Sequence, residues 1–125
     1  MSRRSLAVVC GLLLASTACG SHPSGEVAPK APPALVEVTN NFALPLEISI
    51  LGGGTSHRLG LVNPGMTSRF EIPASLVRSG SVVFQANPSV SAQRYRSGEL
   101  LISPGAVVEL SIATVLFNST ATIRP

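Results

Sequence analysis

The chain has 125 residues, of which 45% are hydrophobic, 4% aromatic and 12% charged, with a formal net charge of +3. This length supports one small domain, and the low charge excludes a disordered, highly charged polymer as the main state. The chain contains no aspartate and no tryptophan.

A signal-like segment opens the chain. Arg3 and Arg4 precede an apolar run from Leu6 to Ala15, and three small residues follow at 16–18. A basic start, an apolar stretch of about ten residues and a small-residue exit are typical of a secretory signal peptide, and the run falls short of the roughly 20 residues that a membrane-spanning helix needs. We therefore predict a signal peptide over residues 1–18, rather than a buried N-terminal helix.

The segment Ser16-Thr17-Ala18-Cys19 resembles the lipobox of bacterial lipoproteins, which ends in a small residue and a Cys that is acylated and becomes the new N-terminus. The resemblance implies cleavage between Ala18 and Cys19 and lipid attachment at Cys19. Ser16 departs from the usual Leu, and residues 16–18 also fit an ordinary signal-peptidase site, so both processing routes stay open. Gly20 stands where the family's inner-membrane retention signal places Asp, which favours the outer membrane.

Cysteine usage agrees with an anchored protein. Cys10 lies inside the predicted signal peptide, so Cys19 is the single thiol of the mature chain and no intrachain disulfide can form. Each buried methylene of an acyl chain contributes about 0.8 kcal/mol, and two or more chains give stable anchoring. We therefore expect Cys19 to hold the protein on a membrane of the bacterial cell envelope.

Loss of the signal peptide changes the charge balance. Without Arg3 and Arg4, seven basic residues face six glutamates, and the net charge falls to about +1. A nearly neutral chain lacks the basic stripe that nucleic-acid binding requires, so we expect no nucleic-acid partner.

Residues 19–34 read as a linker that begins at the lipidated Cys19. Four prolines, Pro23, Pro29, Pro32 and Pro33, stand among small residues, and proline is unsuited to a helix interior or a central strand. An extended proline-rich spacer of this length reaches up to about 45 Å, enough to lift a domain clear of the lipid head groups.

Residues 35–125 form the predicted folded domain, and their apolar residues recur with a period of two. This period is typical of strands with one buried face. One short helical stretch is predicted over residues 74–78. The alternating apolar positions are Val36 and Val38; Leu46, Ile48 and Ile50; Leu59 and Leu61; Phe70 and Ile72; Val82 and Phe84; and Val108, Leu110 and Ile112.

Two Pro-Gly turns punctuate these strands. Asn63-Pro64-Gly65 and Ser103-Pro104-Gly105 place Pro and Gly as a type II turn requires. The apolar segments that flank the two turns are similar to each other, either because a hairpin is duplicated or because such units look alike in general. Either explanation predicts a hairpin around each turn.

Eight or nine short strands with apolar alternation need a second layer to cover the apolar face. We therefore predict an all-β domain, a two-layer antiparallel β-sandwich of immunoglobulin-like or transthyretin-like type, rather than a closed barrel. The motifs V-x-V-x-N, R-L-G-x-V-x-P-G and S-P-G-x-x-V-E-L, between Val36 and Ile112, resemble small bacterial lipoproteins with a β-sandwich body. That resemblance implies no known activity.

Catalytic motifs are missing from the sequence. Without Asp and without a domain Cys, no Ser-His-Asp or Cys-His set and no zinc spacing exists, so we expect no enzyme activity, no cofactor and no metal site. His57 is the domain's one candidate base near neutral pH, paired with Ser56 or a glutamate, although a surface loop position is the simpler interpretation. Arg58, Arg94 and Arg96 form a cationic patch if their strands are neighbours, or else protect sheet edges.

Three function classes follow from this sequence. The first is a tethered, non-catalytic binding or structural module that recognises another envelope protein through a sheet edge or loop tips. The second is an accessory lipoprotein subunit of an envelope secretion or assembly complex. The third is a small hydrolase that uses His57.

Overall fold

Nine strands follow one another along residues 31–124, the part of the chain that the structure, a computed structural model, describes. Within this range, no helix is long and apolar enough to cross a membrane. The strands are β1 (Leu35–Asn40), β2 (Leu46–Gly52), β3 (Thr55–Val62), β4 (Thr67–Glu71), β5 (Ser81–Pro88), β6 (Tyr95–Arg96), β7 (Leu100–Leu101), β8 (Val107–Ile112) and β9 (Thr120–Arg124), with a short helix α1 (Ala74–Arg78) and a 3-10 turn (Leu116–Asn118).

The strands form two sheets, which confirms the predicted all-β sandwich. One sheet has four strands in the order β4-β1-β8-β9, and the other has the order β3-β2-β5-β6, with β7 also paired to β5. Every pair is antiparallel except β1 with β8, which run parallel with Val36 opposite Val108. The sheets are therefore antiparallel-rich, and not wholly antiparallel as predicted. No tight turn joins β1 to β8, so no local geometry imposes an antiparallel arrangement on them.

The core consists of the inward residues of both sheets, as the period of two predicts. Successive side chains of a strand point to opposite faces, and the buried positions alternate with the polar ones, such as Glu37 and Glu109. Burial of each Val, Leu or Ile side chain contributes roughly 1.5–3 kcal/mol. The fully buried core residues include Val36, Val38, Leu46, Ile48, Ile50, Val82, Phe84, Val108, Leu110 and Ile112.

A β-bulge in β3 moves the residues that follow it to the opposite face from the one that the sequence predicts. The register between β2 and β3 shifts at Ile48/Ser49, and Leu59 is the extra residue. Beyond the bulge, Gly60 lies opposite the core residue Ile48, and Leu61 lies opposite Glu47 on the outer face, where it is 50% exposed. The prediction that Leu61 belongs to the core is therefore wrong, because sequence alternation does not reveal an inserted residue.

The two Pro-Gly segments are type II turns, as predicted, but they are not hairpins. Gly65 and Gly105 have φ angles of 77° and 83°, and the amides of Met66 and Ala106 donate to the carbonyl oxygens of Asn63 and Ser103 at 3.1 Å in both turns. Each turn carries the chain from the five-stranded sheet to the four-stranded one, from β3 to β4 and from β7 to β8.

The hairpin prediction fails for a geometric reason. Type II turns do not match the twist of paired strands and splay the strands that they join, whereas the turns with positive φ at both central residues match that twist. The hairpin between β2 and β3 has such a turn, with φ angles of 57° at Gly53 and 79° at Gly54.

The folded body starts slightly before residue 35. Ala34 is 1% exposed and belongs to the core, and its carbonyl oxygen accepts a hydrogen bond from the amide of Ile72 at 2.8 Å. The end of the predicted linker is thus part of the sandwich.

Candidate binding groove

The predicted lipid-attachment and cleavage residues, Cys19 and Ala18, lie outside the described residues. The same holds for the rest of the predicted signal peptide and for most of the linker. Lipid attachment at Cys19 therefore stays a prediction from the sequence.

His57 is exposed on the edge strand β3. It lies opposite Ile50, whereas its neighbour Arg58 lies opposite Ser49. Because residues two apart share a face, Glu47 is on the face of Ser49, opposite to the face of His57. Between residues 31 and 124, no group of three or more His, Cys or acidic residues could hold a metal ion. The geometry therefore offers no Glu47–His57 pair to support the hydrolase hypothesis.

Arg58, Arg94 and Arg96 do not form one patch, because their strands are not neighbours. Arg58 lies on β3 and Arg96 on β6, at opposite edges of the five-stranded sheet, with β2 and β5 between them. Arg58 instead binds Glu47, with 3.2 Å between its Nε and a carboxylate oxygen. Arg94 and Arg96 lie next to each other along the chain at the β6 edge, separated by Tyr95.

A groove of about 460 Å³ lies beside this edge. One wall is residues 93–96, which include β6, and the other is residues 115–117, at the start of the 3-10 turn between β8 and β9. The groove therefore joins an edge strand of one sheet to a loop of the other.

Leu116 positions the second wall. Its side chain is 5% exposed and belongs to the core, so the residues on either side point outward: Val115 is 57% exposed and Phe117 is 93% exposed. The amide of Asn118 donates to the carbonyl oxygen of Val115 at 2.9 Å, and the hydroxyl of Ser119 accepts from the amide of Ala113 at 3.0 Å. These bonds hold the loop in a shape that presents an aromatic ring to solvent.

Ser97 positions the first wall. This residue is 6% exposed, and its hydroxyl accepts a hydrogen bond from the amide of Phe84 at 2.8 Å and donates to the carbonyl oxygen of Gly98 at 2.8 Å. The amide of Ser97 donates to the carbonyl oxygen of Phe84 at 2.9 Å. The short strand β6 is thus fixed to β5 at its end.

The charge of the groove is positive and uncompensated. Its walls contain Arg94 and Arg96 and no carboxylate. Among the described residues, neither arginine forms an ion pair, whereas Arg58, Arg69 and Arg124 each pair with a glutamate. The groove therefore suits an anionic ligand.

Two pKa shifts show the difference between paired and groove residues. The hydrogen bond from Arg69, at 2.6 Å, lowers the pKa of Glu37 on the outer face of the four-stranded sheet. In the groove, burial raises the pKa of Tyr95 above the ordinary value of a tyrosine, at which the phenol is already neutral at physiological pH. The positive charge of the two groove arginines is therefore not offset by a tyrosinate.

Sequence reasoning missed Val115 and Phe117. The available signal was the run Val115-Leu116-Phe117, three consecutive apolar residues with no polar alternation after β8. In an extended segment, such a run cannot direct all its side chains to one core. At least one of the three side chains therefore had to face the solvent.

Comparisons with known proteins add little to this site. No protein-family model matches the chain, and no curated protein matches it significantly. The NMR structure of a protein from Eubacterium rectale aligns over 79% of this chain and 94% of its own, with 12% sequence identity and a TM-score of 0.49.

Proposed function

We propose that the protein is a lipid-anchored lipoprotein of the bacterial cell envelope whose β-sandwich is a non-catalytic binding module. Cys19 is the membrane attachment site, and the proline-rich linker holds the domain away from the bilayer. The groove between residues 93–96 and 115–117 is the binding site for another envelope protein.

The observation that carries this proposal is the exposure of Phe117 opposite two unpaired arginines. Phe117 is 93% exposed and Val115 is 57% exposed, and an exposed apolar patch rimmed by polar residues is typical of an interaction site. Aromatic and arginine residues are also those that contribute most binding energy at protein interfaces.

The chemistry of the groove supports binding rather than catalysis. General acid–base catalysis needs a group whose pKa lies near the working pH. Residues 93–96 and 115–117 include no His, Cys, Asp or Glu, and the arginines remain protonated. The groove can attract and orient an anionic partner, but it lacks a side chain to transfer a proton at neutral pH.

Site-specific photo-crosslinking in living cells tests the groove. A photoreactive phenylalanine analogue at Phe117 is expected to give a discrete crosslinked species in the envelope fraction. The same analogue at Met66, which is 56% exposed in the turn between β3 and β4, is the matched control and is expected to give none. Equal crosslinking at both positions, or none at Phe117, would contradict the proposed site.

A further inference from the structure

The groove has an open strand edge along one wall. β6 is the outermost strand of its sheet. Because Ser97 directs its amide to β5, the alternation of an antiparallel ladder turns the amide and carbonyl groups of Arg96 towards the free side. These groups can pair with the backbone of an extended chain, the mode of recognition in which a peptide adds a strand to a sheet.

The opposite edge of the same sheet, strand β3, is better protected than the β6 edge. At the opposite edge of the same sheet, Arg58 of β3 is neutralised by Glu47, and the ring of Phe70 from β4 covers Gly60. The β6 edge has neither a neutralised arginine nor a covering ring. Its two free positive charges repel a second copy of the same edge and attract an acidic strand.

The wall that faces β6 is apolar and therefore favours apolar side chains in a bound ligand. Val115 and Phe117 present apolar surface to the groove across from Arg94 and Arg96. Successive side chains of an added strand point to opposite faces, so alternate residues of a bound segment would meet the arginines and the residues between them the apolar wall.

We infer that the groove binds an extended acidic segment of a partner protein, which pairs with the open edge of β6, places carboxylates beside Arg94 and Arg96, and packs apolar side chains on Val115 and Phe117. This inference rests on the proposed binding function and specifies its ligand. A bilayer surface fits the groove less well, because a lipid head group offers no row of amide and carbonyl groups to the strand edge, and because the site is concave.

Peptide selection tests the inference. Random octapeptides displayed on phage are panned against the purified full chain. The enriched sequences are expected to alternate Asp or Glu with apolar residues. A synthetic copy of an enriched peptide is expected to shift the NMR amide resonances of residues 93–96 and 115–117, and its affinity is expected to fall as salt is added.

Charge reversal provides the matched control. Arg96→Glu is expected to weaken the peptide by about tenfold or more, whereas Arg78→Glu, an exposed and unpaired arginine of α1 outside the groove, is expected to change affinity by less than about twofold. The denaturation midpoint of each variant shows whether it is folded, and Arg94→Glu replaces Arg96→Glu if that variant is unfolded.

Three results would overturn the inference: enriched sequences without acidic residues, equal loss of affinity for both charge reversals, or Phe117-dependent flotation of a Cys19→Ser variant, which carries no acyl chain, with phosphatidylglycerol vesicles in the absence of peptide binding. If crosslinking at Phe117 succeeds and the selection yields no acidic segment, the binding module stands and only its proposed ligand falls.

Discussion

At the scale of single residues, Asn40 connects several parts of the molecule through hydrogen bonds. It is 0% exposed at the end of β1. Its side-chain amide donates to the carbonyl oxygens of Leu44 at 2.9 Å and Val62 at 3.0 Å, and its Oδ1 accepts from the amide of Phe42 at 2.8 Å. The backbone of Asn40 also bonds to Gly65 and Met66 of the first Pro-Gly turn. One buried side chain thus connects β1, β3 and the loop before β2.

We expect Asn40→Ala to lower the free energy of unfolding by about 3 kcal/mol, because it leaves two carbonyl oxygens and one amide without partners in a buried site. Urea denaturation measures this loss. Asn41→Ala is the control, since Asn41 is exposed and its backbone bond to Ile112 survives the substitution. Similar losses for the two variants would refute the role of Asn40.

The variant Asn40→Asp tests whether the environment of this side chain is buried and lined by carbonyl oxygens. A carboxylate at this position would face two carbonyl oxygens, so burial beside them raises the pKa of the new carboxyl group in the folded state. The folded state then binds a proton more tightly than the unfolded state, and stability must rise as the pH is lowered from 7 towards 5. A variant whose stability does not change with pH over that range would contradict the buried environment.

At the scale of elements, the bulge in β3 and the ring of Phe70 close one side of the sandwich. A Cβ atom on Gly60 would lie 2.5 Å from Cε1 of Phe70, closer than real contacts allow. Glycine is therefore required here by space, since its φ is not in the left-handed region. The opposite side, between β6 and the loop after β8, has no such closure and contains the groove.

Substitution of Gly60 tests this packing. We expect Gly60→Ala to destabilise the domain by about 1–3 kcal/mol, because the methyl group forces the ring of Phe70 out of its place. Gly98→Ala is the control, because a Cβ there meets nothing within 4 Å and its φ is also unrestricted. Thermal unfolding compares the two variants, and an unchanged melting temperature for Gly60→Ala would show that Phe70 moves without cost.

At the scale of the whole molecule, we propose that a membrane attachment at Cys19 works together with the folded body at 31–124. In the proposed function, the two parts have separate roles: the acyl chains would fix the protein to a surface, and the sandwich would present the groove. A tether confines the groove to the vicinity of the membrane and so raises the effective concentration of any partner located there.

Replacement of the two cysteines separates these roles. We expect Cys19→Ser to move the protein from the membrane fraction to the soluble fraction, because no acyl chain can then be attached. Cys10→Ser, within the predicted signal peptide, is expected to leave the protein in the membrane fraction. If Cys19→Ser stays with the membrane, or if mass spectrometry finds an unmodified Cys19, the lipid anchor is refuted.

The sequence by itself determined which segments are strands, which residues of most strands face the core, and where the type II turns lie. These properties are local: side-chain alternation follows from strand geometry, and turn type follows from the φ preferences of Pro and Gly. The resemblance of Ser16-Thr17-Ala18-Cys19 to a lipobox is equally local, and lipid attachment at Cys19 stays a prediction from that resemblance.

Only the tertiary structure decided which strands are neighbours. A period of two assigns each residue to a face, but it does not state which strand lies beside it, so the parallel pairing of β1 with β8 and the two passages between sheets could not be read from the pattern. The groove has the same origin. Its walls at residues 93–96 and 115–117 are distant in the chain. They lie close together because β6 is the edge strand of one sheet and because the side chain of Leu116 packs in the core, which holds its loop beside that edge.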